Sequence, residues 1–173
     1  MNYEIKFSKR KSISISVKGD KIIVKAPFGT PSAIIDKMLH KHRLWIAKRI
    51  AAEEKRLEVD SKLTPSVVRE LKKDAKIYFK EKIEQYSSVM GVSYRGIKIT
   101  SAERRFGSCS SKGNICFSYR LMLYPAAARE YVVVHELAHL REMNHSKRFY
   151  AIVEGVMPDW RARRKLLSDL NCE

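Results

Sequence analysis

The segment HELAHLREMNH, residues 135–145, constrains this chain more than any other, because it gathers three of the five histidines (His135, His139 and His145) at offsets zero, four and ten. At ~3.6 residues per turn, positions four apart stack on one helical face, so His135 and His139 meet a single cation from the same side only if the segment is helical. The β-branched run YVVV (131–134) could equally read as a strand; the alanine-rich stretch before it and Glu136-Leu137-Ala138 after it favour the helix. A continuing helix would lift His145 ~9 Å beyond His139 and turn it off that face, so the chain must reverse first. Met143-Asn144 is the expected place, since asparagine tolerates the left-handed backbone common at helix ends.

That spacing predicts a metal site. The H-E-x-x-H arrangement offers two imidazoles to zinc, a catalytic zinc normally has three protein ligands and an open fourth position, and His145 is the candidate third. Glu136 lies ~100° round the helix from His135, too far to be an equivalent ligand but close enough to touch a water held there. His40 and His42 are two apart, share no helix face and read as solvated.

Around this centre the pattern alternates short strands with helices. SISISVKGDKIIVKA (12–26) reads as a hairpin turning at Gly19-Asp20, with Ile13, Ile15 and Val17 facing Ile22, Val24 and Ala26. Thr30-Pro31 and Thr64-Pro65 each resemble an N-cap followed by proline at the first helical position. The second opens a long helix, striped by Val67, Leu71, Ala75, Tyr78, Phe79, Ile83, Tyr86 and Met90, that stops at Gly91. GIKIT (96–100) reads as a strand and RFGSCSSKGNICFSYRL (105–121) as a hairpin turning at Lys112-Gly113-Asn114, its second strand running from Ile115 to Leu121. Pro125, Ser146 and Pro158 each open a helix, and the polar run 51–63 places a lobe boundary near residue 60.

With 173 residues the chain can bury its own core. Its three cysteines (Cys109, Cys116, Cys172) form no secreted-domain pattern and read as free thiols of a reducing compartment. No apolar run reaches bilayer length and the N-terminus lacks the apolar core of a secretion signal, so a cytoplasmic protein without a membrane partner is expected. The net charge of +16 is spread along the sequence; most of it reads as solvated faces, with nucleic acid or a nucleotide as the further partner such a surface would attract.

The chain resembles the YgjP-like metallopeptidase domain family, related to the SprT-like and WLM zinc peptidases, over nearly its whole length. RFGSCSSKGNICFSYRL and YVVVHELAHLREMNHSKRFYAIVEGVMPDW carry the resemblance; SISISVKGDKIIVKAP and HRLWIAKRI add to it more weakly. It implies an α+β fold, a zincin-like minimal metallopeptidase core over 61–173 behind an N-terminal hairpin and helix lobe over 1–60, the two forming one continuous domain over 1–173. It also implies that His135, His139 and His145 hold one zinc ion and that Glu136 is the catalytic acid/base. The strand Ile115–Leu121 would be the sheet edge over the cleft, where an extended peptide adds as a further strand. Arg105, Ile115, Phe117, Tyr119 and Arg120 are then the substrate-binding candidates, with Arg105, Tyr119, Arg120 and Tyr150 as candidates for stabilising an oxyanion. Phe106 stands where the family more often has tryptophan. Glu142 occupies the metzincin glycine position and no Met-turn is evident, which sets the chain apart from that group.

A zinc peptidase is thus the leading expectation. A metal-dependent hydrolase of nucleotide phosphoanhydrides would use the same site, although RFGSCSSKGN lacks the P-loop pattern and three histidines provide no second metal. A non-catalytic DNA-associated module rests on the charge alone.

Overall fold

A parallel strand pair that the sequence pattern does not announce begins the chain. In the computed structural model, which describes residues 3–19, 21–103 and 105–167, β1 (Tyr3–Ser8) lies parallel to β3 (Lys21–Pro27), with Tyr3 opposite Ile22 and Ser8 opposite Pro27. β2 (Ser14–Lys18) pairs antiparallel with β3 from Ser14↔Lys25 to Lys18↔Lys21, giving the order β1-β3-β2. The expected hairpin is present; Gly19 has the positive φ of 61° that its turn requires, and Asp20 lies outside the described residues. Ile22, Val24 and Ala26 on one face of β3 are buried against Ile35 and Leu39 of α1 (Ser32–Lys41) and Ile46 of α2 (Arg43–Ser61). The polar run after residue 50 is the second half of α2, which ends at Ser61 beside the expected boundary. Thr30 does not cap α1: its hydroxyl donates to the Pro27 carbonyl at 2.8 Å, closing the turn after β3, and the cap position falls to Pro31.

The chain divides into two compact units between Lys62 and Leu63. The second opens with α3 (Pro65–Met90), where the Thr64 hydroxyl accepts from Val67 N and Pro65 occupies the first turn. Its far end is Gly91, left-handed at φ 60°. The apolar stripe is buried only along the later turns, at Ala75, Phe79, Ile83 and Met90; Val67 is exposed.

β4 (Gly96–Thr100), β5 (Gly107–Cys109) and β6 (Asn114–Ser118) form a second sheet in the order β4-β6-β5. β6 is parallel to β4 and antiparallel to β5, so it is the central strand, not the expected edge. It also stops at Ser118, three residues short of the expected end. The buried Ser118 hydroxyl donates to Ala102 O at 2.7 Å and accepts from Arg120 N at 3.3 Å, turning Tyr119–Leu123 into a 3₁₀ helix. Ile115 and Phe117 are wholly buried, and Phe117 stacks on Phe79 of α3 at 4.5 Å, so neither is available to a substrate.

α4 (Ala126–Ala138) is buried on nearly every side, which is how the β-branched Val132, Val133 and Val134 come to sit in a helix: packing overrides their strand preference. It packs against α3, β5, α5 (Lys147–Val156) and α6 (Trp160–Lys165). The molecule is therefore α+β, with two three-stranded sheets and six helices among the described residues. None of those helices is long and apolar enough to cross a membrane.

Candidate metal centre

α4 places His135 in its last turn and ends at His139, which keeps right-handed geometry as the C-cap. The reversal comes at once. Leu140 N donates to Leu137 O, and Arg141 N and Glu142 N both donate to Ala138 O, so the helix closes before the expected Met143-Asn144 turn. No non-glycine residue among those described has a positive φ, so Asn144 is not left-handed; its carbonyl accepts from Ser146 N at 2.7 Å instead. Ser146 then caps α5 through Phe149 N, and His145 stands just before that cap.

The result brings the three imidazoles together. Ring centroids are 5.0 Å apart for His135 and His139, 4.9 Å for His135 and His145, and 4.8 Å for His139 and His145. One donor atom from each lies within 4.8 Å of the others, and the His135 and His145 Nε2 atoms are 3.0 Å apart. His139 Nδ1 is 3.1 Å from the Glu142 carbonyl, which can only accept, so Nδ1 carries the proton and the Nε2 lone pair points inward. His135 Nδ1 lies 3.4 Å from the Tyr131 hydroxyl. The buried Phe149 ring packs within 4.9 Å of all three imidazoles.

Glu136 adjoins this cluster from another side of the helix. It is 5% exposed, and its Oε2 is buried with no hydrogen-bond partner among the described residues. Its other oxygen presses on β5, where a Cβ at Gly107 would come within 2.5 Å of Oε1; only glycine leaves room for the carboxyl. Burial pushes the Glu136 carboxyl up to about 8, against the pull of the nearby Arg105 guanidinium. Burial, with help from His139, His145 and Arg164, holds His135 down to about 3, and burial also lowers His139. The Cys109 thiol is raised to about 11 by burial and then by Glu136 and Cys116.

These shifts set the acid and alkaline limits of the metal-free protein. His135 takes its proton in the unfolded chain first, so stability present above 6.5 is lost as pH falls toward 3. Glu136 takes its proton in the folded chain first, so stability present below 4.5 is lost as pH rises through 8. Thermal unfolding in chelator is expected to show a maximum between about pH 4.5 and 6.5, and Glu136→Gln should remove the decline between about pH 6.5 and 8 while leaving the acid limb in place. An unchanged alkaline limb in that variant would contradict the assignment.

Arg105 is exposed beside Glu136. Tyr119 is buried under Lys72 and Arg120, whose charged groups sit 5.6 and 5.8 Å from its ring. Tyr150 stacks on Trp160 at 4.8 Å and lies 6.3 Å from His145. Sequence reasoning passes over Gly107 and Phe149; an isolated glycine in a strand pattern is the signal that could have marked the first. Cys172 lies outside the described residues.

A family model described as "YgjP-like, metallopeptidase domain" matches residues 57–170. No curated protein matches the chain. Among solved structures, the metallopeptidase zymogen abylysin of Pyrococcus abyssi is similar at 22% identity and a TM-score of 0.48, over 52% of this chain and 91% of that one.

Proposed function

Because the chain belongs to the YgjP-like metallopeptidase domain family, we propose that it is a zinc-dependent peptidase in which His135, His139 and His145 hold one ion and Glu136 is the general base. The observation that carries this reading is the convergence of three imidazole donors within 4.8 Å beside a buried carboxyl oxygen that has no hydrogen-bond partner among the described residues. Three neutral nitrogen donors suit zinc and leave its fourth position open. When bound, the ion supplies Lewis acidity, bringing a water's pKa to about 7 and polarising a carbonyl.

The protein's own groups do the rest. Glu136 accepts the proton of the attacking water and returns it to the leaving amine. The Glu142 carbonyl holds the His139 tautomer that presents Nε2. A groove of about 390 Å³ lined by His145, Lys147, Tyr150, Ala151 and Trp160 offers room to residues flanking the scissile bond.

Cleavage of a peptide library is the test. Activity should vanish on chelation and return with one equivalent of zinc. A zinc-loaded protein that cleaves no peptide but hydrolyses nucleoside triphosphates in a chelator-sensitive way would move the assignment to phosphoanhydrides.

A further inference from the structure

Five residues lie between His139 and His145, and a long-range hydrogen bond anchors their start. Arg141, in the turn directly after α4, donates through Nη2 to Met90 O at 2.5 Å and reaches Gly91 O at 3.5 Å. Those carbonyls close the C-terminal end of α3, a helix of 26 residues whose Ser87 and Ser88 carbonyls accept from Val92 N and Gly91 N, whereas Met90 O, at the negative end of the dipole, takes the guanidinium. The left-handed Gly91 turns the chain away beneath the guanidinium, and a Cβ there would already lie 3.6 Å from Nη2. α3 is itself packed along α4, so the contact ties the loop to the body that carries His135.

The residues just after Arg141 give this tie its consequence. The next carbonyl, that of Glu142, accepts the Nδ1 proton of His139, and the Glu142 carboxylate accepts from Asn144 N at 3.4 Å on the way down to His145. We propose that Arg141 is a positioning residue for the metal centre: by clamping the turn to the end of α3 it fixes both the tautomer of His139 and the approach of His145. The proposal rests on the zinc reading above and adds a residue that touches neither metal nor substrate.

The test measures zinc affinity by competition with a chromophoric chelator, alongside nitrogen NMR of the histidine rings in the zinc-free protein. Arg141→Ala should weaken zinc binding ~10- to 100-fold, the range for outer partners of metal ligands, and turn His139 from one tautomer into a mixture. Arg141→Lys, which keeps one cationic donor, should recover part of the affinity. Thr64→Ala, which removes the cap at the opposite end of α3, should lower the melting temperature without moving either readout. Zinc affinity within about twofold of wild type in Arg141→Ala, or an equal loss in Thr64→Ala, would overturn the positioning role. A wild-type protein that binds no zinc would instead overturn the reading beneath it.

Discussion

Glu136→Gln is expected to bind zinc as the wild type does and to lose roughly 10²–10⁴-fold in kcat/KM, the contribution of a positioned general base. Glutamine has the shape of the carboxylate it replaces, so it fits the space that Gly107 leaves, where a Cβ would press within 2.5 Å of Oε1. It accepts no proton at neutral pH. The side chain leaves α4 on a different azimuth from His135 and His139, and its Oε2 has no hydrogen-bond partner among the described residues, so zinc affinity should be insensitive to the change. Steady-state kinetics with metal content measured on the same preparation separates the two effects. Wild-type turnover in a zinc-replete Gln variant would remove Glu136 from the mechanism.

The second large effect concerns the residue farthest along the motif. His145→Ala should weaken zinc binding by more than ~100-fold, beyond what outer partners of ligands cost, and abolish peptide cleavage with it. Folding should be unaffected, because His145 is exposed and its neighbours Ser146 and Phe149 keep the cap that starts α5. That separates it from His135, which is held more deeply against Tyr131 and Phe149. Chelator competition on the folded variant, checked by circular dichroism, decides the matter. Undiminished affinity would mean that another group completes the site.

How much of this is legible in the sequence depends on how local each feature is. The alanine-rich stretch before YVVV and Glu136-Leu137-Ala138 after it mark the helix through a β-branched run, and Thr64-Pro65 and Gly91 mark both ends of α3, because propensity and capping are written in neighbouring residues. The parallel β1–β3 pairing is not legible, since nothing within Tyr3–Ser8 specifies a partner some twenty residues later. Nor is the position of β6 legible, for which the family resemblance implies an edge: its place between β4 and β5 depends on a crossover. Its early end at Ser118 turns on a hydroxyl bond to Ala102, sixteen residues back. Asparagine suggests a left-handed residue and so sets the reversal after His139 too late, whereas the turn closes on Ala138 O and is held by Arg141 against α3. Gly107 matters for a contact with Glu136 that no local pattern encodes.

X-ray absorption at the zinc edge of the purified wild-type protein is the most direct test of the three-imidazole centre. It should show three imidazole nitrogens at ~2.0–2.1 Å and one further light atom. A sulfur neighbour at ~2.3 Å, for which Cys109 is the nearby source, or fewer than three imidazoles, would contradict it.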